Sequence, residues 1–309
     1  PYGAVFTYHL ADGLTTLEKT RREAEKKLEK EWKDTPYVGW NELEKERRQP
    51  DPVMLLTIRD ADGNVVRTIE GPAKKGFHRV AWDLRYPTTA AIREASDDEW
   101  RRGPSDPNSG FMAPPGSYTV TLSKRVDGVV TDLSEAVGFE VKRVFPGVLE
   151  GTPPDQTAAY MAQVAALNRA VTAASEMVGH GFKRVENLQR GLARAQTAPG
   201  GLDSELEALK LKLYEVDEAL NGNRSLGSMG EVRTPTISGR LRNAAMTDGM
   251  SDYGPTATHR RSFEIATEQF AELEPRIRRL LDVELPALEA KMEAAGVPWT
   301  PGRPLPEIN

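Results

Sequence analysis

Hydrophobic and polar positions alternate in the first half of the chain and step by threes and fours in the second. Between Val53 and Asp83, VMLLTIRDADGNVVRTIEGPAKKGFHRVAWD, the residues Val53, Leu55, Thr57 and then Val65, Arg67, Ile69 alternate with their neighbours about Asp62-Gly63. A β-rich run interrupted by Asp-Gly predicts a hairpin. Phe77 to Leu84 predicts a third strand, with Val80 and Trp82 on one face, so Trp82 is expected to be buried. AVFTYHL at 4–10 predicts a strand that stops at Asp12-Gly13. Beyond a loop of nearly 30 residues (Tyr86 to Pro115), strands are predicted at 117–125, 129–133 and 137–144, with a tight turn at Val126-Asp127-Gly128.

Seven short strands with frequent turn signals predict an immunoglobulin-like antiparallel β-sandwich over residues 1–13 and 51–146. Residues 14–50 break the alternation. LTTLEKTRREAEKKLEKEWK places Leu14, Leu17, Ala24, Leu28 and Trp32 at near-helical spacing among Lys, Glu and Arg, and Pro36 ends the run. Since the first strand lacks a partner until Val53, this helix is expected to be an insertion between two neighbouring strands of one sheet.

From residue 147 onward the period is helical. Met161, Val164, Leu167, Val171, Ala174, Val178, Phe182, Val185, Leu188, Leu192 and Ala195 form one long seam, Leu202 to Leu220 a second, and Phe263 to Met292 a third. The prediction for 147–309 is an elongated antiparallel, coiled-coil-like helical bundle with a proline-rich tail laid over its surface, an α+β multidomain chain in all. Gly179 and Gly181 are expected to bend or interrupt the first helix, and Pro275 and Pro286 the third. The second helix reaches along only about half of the first at 1.5 Å per residue, so Ile237, Leu241, Ala244 and Met246 in the connection are expected to close part of the remainder. The apolar residues Met161, Val164, Leu167, Val171, Leu280, Leu281, Leu285 and Leu288 are expected to meet near the end where the chain enters, and to be covered there by that connection together with the sandwich or a partner surface.

Composition narrows the function classes. A net charge of −5 gives no basic footprint for nucleic acid, and no apolar run approaches the roughly 20 residues of a membrane span. With no cysteine, disulfides, thiolate catalysis and Cys-ligated metals are absent. Opening on Pro1 in strand-like sequence, the chain is expected to be a fragment or a processed product.

No catalytic constellation emerges. Asp60, Asp62 and Asn64 start like a calcium loop but lack its later ligands and closing Glu, so a hairpin turn is expected. Asp97, Asp98 and Glu99, beside Trp100, are the candidate acids for glycoside hydrolysis, which needs two carboxylates flanking the bond; solvated turn chemistry is the competing reading. His9, His78, His180 and His259 have no ligand spacing, and no phosphate loop, dinucleotide fingerprint or nucleophile elbow occurs. No cofactor and no metal is expected.

The succession VFTYHL, VMLLTIRDADGNVVRTI, GFHRVAWDLR and APPGSYTVTL resembles flagellar-hook-cap-like and secretion-tail-like immunoglobulin-type domains. With its helical insertion and the ending LPALEAKMEAAGVPWTPGR, the whole chain resembles the C-terminal region of bacterial sortilin-like propeller proteins with BNR (Asp-box) repeats, often labelled glycosyl hydrolases. That resemblance implies export and an N-terminal propeller holding any ligand or substrate site. No Asp-box occurs here, so no site residue carries over. The leading expectation is a non-catalytic structural or interaction region that packs on the propeller or assembles with another envelope protein. The alternatives are part of a glycan-acting hydrolase whose site lies mainly in the propeller, and a helical adaptor that forms an oligomer.

Overall fold

The computed structural model describes residues 2–92, 110–144, 150–195, 200–231, 234–246 and 253–306. It contains both helices and antiparallel sheets, divided into two compact units: Pro1–Pro87 with Asn108–Pro146, and Thr88–Pro107 with Gly147–Asn309.

The first unit holds β1 (Ala4–Leu10), α1 (Leu17–Lys30), α2 (Trp40–Arg48), β2 (Val53–Arg59), β3 (Val65–Gly71), β4 (Gly76–Trp82), β5 (Gly116–Val126), β6 (Val129–Asp132) and β7 (Val137–Val141). β3, β2, β5 and β6 form one antiparallel sheet in that order, with β7 also on β5; β1 and β4 form another. The expectation that β1 and β2 are neighbours in one sheet is overturned. Both edges of β2 are taken, by β3 and β5, while β1 pairs with β4 from Ala4↔Trp82 to Leu10↔Gly76. That pairing brings the chain so close to Trp82 that a Cβ at residue 3 would lie 1.8 Å from its carbonyl oxygen, and Gly3 sits at φ +102°. Glycine is the residue that tolerates both conditions.

Residues from both sheets share one core. Trp82 of β4 is fully buried with Ile58, Val66 and Tyr118; its ring lies 5.4 Å from that of Tyr118, edge to face, and its Nε1 donates to Arg85 O at 2.9 Å. An aromatic pair of this geometry adds to the gain from apolar burial. Tyr8, Leu10, Met54 and Leu56 make a second cluster.

In the second unit, Thr89 Oγ1 donates to Ala165 O at 2.7 Å and Ala91 N to Thr172 Oγ1 at 2.9 Å, so the stretch from Thr88 lies along α3 (Pro154–Leu192). α4 (Gly201–Asn221), α5 (Arg224–Ser228), α6 (Ile237–Ala245) and α7 (Ala257–Arg278) follow, then a π-helical turn, Arg279–Glu284, and α8 (Leu285–Ala294). α4 runs antiparallel to α7 and α8, since Glu205 pairs with Lys291, Lys212 with Glu284 and Glu215 with Arg276.

α3 runs parallel to α7 and α8: Tyr160 stacks edge-on to Phe263 at 5.9 Å, Gly181 meets Leu281, and Arg184 pairs with Glu289. Met161 to Val171 and Leu280 to Leu288 therefore sit at different levels, and the expectation that they meet at one end is corrected. The physical reason is the connection through α6, which returns to the start of α3, where Thr152 N donates to Tyr253 O at 3.0 Å. As expected, Ile237, Leu241 and Ala244 of α6 are buried; Met246 is exposed.

α3 passes through Gly179 and Gly181 without interruption. A Cβ at residue 181 would lie 2.8 Å from Leu281 Cδ2 and 3.2 Å from Leu213 Cδ2, so this glycine serves close packing. The third helical stretch runs on through Pro275, and its hydrogen-bond pattern widens in the π-helical turn Arg279–Glu284 before Pro286. Leu285 N donates to Leu280 O, five residues back. Neither proline has an N–H to give, and the wider turn accommodates that loss. The adjacent residues Leu280 and Leu281 are both buried as a result. The tail is anchored more firmly than a surface strap: Val297 and Thr300 pack on Gly191, and the buried Arg303 pairs with Glu293 and donates to Pro298 O.

Candidate functional site

The acids Asp97, Asp98 and Glu99 lie outside the described residues. Of the predicted contact residues, Met161, Val164, Val171, Leu280, Leu281, Leu285 and Leu288 are buried and Leu167 is half-buried. Within the second unit α6, α7, α8 and the stretch from Thr88 pack along α3. Asp60 closes its own hairpin: its carboxylate accepts from Asp62 N at 3.0 Å, Asn64 N at 2.8 Å and Asn64 Nδ2 at 3.2 Å, the turn chemistry that Asp favours. His9 packs on Phe77 and His78 on Lys74 O, while His259 lies within the N-terminal cap of α7, where its N–H donates to Thr256 Oγ1. Among the described residues no three His, Cys, Asp or Glu side chains group to hold a metal ion, and no helix is long and apolar enough to cross a membrane.

A cleft of about 650 Å³ opens in the second unit between α4, the stretch Thr234–Ile237 and α7. Leu226, Ile237 and Leu273 supply apolar walls, and Glu215, Glu218, Gln269, Glu272 and Arg276 polar ones. Its volume suits a small molecule, but Glu215 is paired with Arg276 at 3.2 Å and Glu218 accepts from Asn223 at 3.2 Å. In the adjoining hollow, the hydrogen bond from Lys212 holds the Glu284 carboxyl below the usual range, with Arg279 assisting. Glu215–Arg276 ties α4 to α7, and Lys212–Glu284 ties α4 to the π-helical turn.

The α1–α2 arm is different in kind. Neither helix buries a single residue. Thr16 caps α1 by accepting from Lys19 N at 3.2 Å, and a forked pair from Arg21 to Glu46, at 2.7 Å from both Nε and Nη2, pins α1 to α2. That pair raises the Arg21 guanidinium and lowers the Glu46 carboxyl from their usual ranges. Arg47 and Arg48 hold Glu44 down to about 2. At the base, Leu17 N donates to Gln49 Oε1, and Gln49 Nε2 to Asp127 Oδ1.

At the tip stand Trp32, Tyr37 and Trp40, respectively 97%, 81% and 78% exposed. Sequence periodicity placed Trp32 on the inner edge of α1. Instead α1 ends at Lys30, and Lys33 N donates to Leu28 O while Trp32 takes φ +56°. This is the left-handed helix stop that glycine normally fills, and it turns the indole outward. Nothing in the spacing disclosed the change, because the period of three and four continues two residues past the helix. A pinned, charged hairpin with three aromatic rings in solvent has the chemistry of contact: Trp and Tyr dominate the energetics of protein interfaces.

Compared with protein-family models, with curated proteins and with solved structures, the chain matches none.

Proposed function

We propose that the chain is a non-catalytic interaction module, an immunoglobulin-like sandwich carrying a helical docking arm and followed by a coiled-coil-like bundle, within a larger exported protein of the sortilin-like propeller kind. Its partner is the N-terminal propeller of the same protein, another envelope protein or, in an oligomer, a further copy of the chain. The observation that carries this reading is the arm itself: two helices without one buried residue, presenting Trp32, Tyr37 and Trp40. Exposed apolar area concentrated at one end of an element marks interaction sites on soluble proteins.

The test replaces residues 14–50 by a short Gly-Ser link in the full-length protein. Neither helix buries a residue, and of the replaced stretch Leu14 packs half-buried on the cluster of Tyr8, Leu10, Met54 and Leu56, so the deletion is expected to unfold cooperatively with a midpoint somewhat below that of the parent. Complexes of the envelope fraction on native gels are expected to shrink or vanish. Complexes unchanged in size, with the deletion folded, would overturn the reading.

A further inference from the structure

We infer that the aromatic tip of the arm pairs with the same tip on a second copy of this chain. This rests on the reading of the arm as a docking element and names its occupant.

Three observations converge. The first is conformational. Trp32 occupies the left-handed position after α1 at φ +56°, where a bulky side chain is a genuine outlier and glycine would be unstrained. Strain retained on an almost fully exposed side chain does nothing for the packing of its own fold, and such outliers cluster where a contact uses them.

The second is area. An aromatic side chain covers about 150–250 Å² when buried, so three rings on each of two arms remove about 900–1,500 Å² from water. That spans the roughly 1,000–1,200 Å² at which specific interfaces begin. A two-fold contact presents the same rings from both sides, and twofold dimers are the commonest assemblies.

The third is charge. Residues 17–48 carry ten Lys and Arg against nine Asp and Glu, and many of these are already paired within the arm, as in Arg22–Glu18, Lys45–Glu42 and Arg48–Glu44. Two near-neutral arms approach without net repulsion. An anionic lipid surface or a nucleic acid calls instead for a basic excess.

Sedimentation equilibrium of the intact chain across the micromolar range tests this. The expected result is a monomer–dimer equilibrium that Trp32→Gly weakens by about tenfold or more, as loss of an aromatic anchor does, and that Tyr37→Ala weakens as well. Both variants should keep the parent's urea midpoint, with Trp32→Gly at or above it, so folding and association separate. A chain that stays monomeric, a dimer indifferent to both substitutions, or a dimer that dissociates steeply with added salt would each overturn the inference. If the chain is monomeric and yet removal of the arm dissolves the envelope complexes, the second copy is excluded while the docking reading stands.

Discussion

Trp82 has no exposed surface, contacts Tyr118 and Phe139 edge-on and donates its indole N–H to Arg85 O. Replacing it by Ala removes a large buried volume and leaves that carbonyl without its partner, so the expected loss is about 3–5 kcal/mol in urea melts. Its neighbour Tyr118 supplies a pH signature. Burial, with smaller contributions from Tyr86 and Asp60, pushes its phenol up from 10 to about 12, and the hydroxyl donates to Pro114 O at 2.6 Å. Between those values the unfolded chain loses the Tyr118 proton and the folded chain keeps it. Stability is thus intact below pH 10 and falls as pH rises toward about 12. Melts across that window are expected to show the fall, and Tyr118→Phe a shallower one. The burial of Trp82 was legible from residue spacing, because a strand's period of two assigns faces. The exposure of Trp32 was not, because one left-handed residue resets the direction of the chain.

At the scale of elements, Gly179 and Gly181 look alike in sequence and differ in surroundings. Nothing lies within 4 Å of a Cβ at 179, whereas one at 181 meets Leu281 and Leu213. Gly179→Ala is expected to stabilise the second unit by about 1 kcal/mol, the helix-propensity difference. Gly181→Ala should gain less, and Gly181→Leu should cost about 1–3 kcal/mol by overpacking. Chemical denaturation of the three variants checks the ordering, and equal gains from both alanines would contradict the close packing of α3 on the π-helical turn. That turn was only half legible. Pro275 and Pro286 announced a bend or interruption in the third helix, but the choice of a wider turn depends on where Leu280, Leu281 and Leu285 must be delivered, which is set by α3 and α4.

Over the whole molecule, strand and helix identity followed from local pattern. Alternation with Asp-Gly turns located the strands of the first unit closely, and steps of three and four located the helices of the second, because side-chain direction along an element is a property of a few consecutive residues. The same locality explains the closing role of Ile237, Leu241 and Ala244. Pairings between distant segments were decided by tertiary structure alone. β1 joins β4 because β3 and β5 already occupy both edges of β2. The segment from Thr88 joins the second unit through two hydrogen bonds to α3. α7 runs parallel to α3 because the chain first returns along α4 and α6. None of these has a signature in spacing, since each depends on which partner surfaces remain open after the others have formed. The candidate site divides the same way: its aromatic residues and balanced charge are plain in the sequence, but their gathering at an exposed tip depends on the helix stop at Trp32 and on a hairpin that buries none of its own side chains.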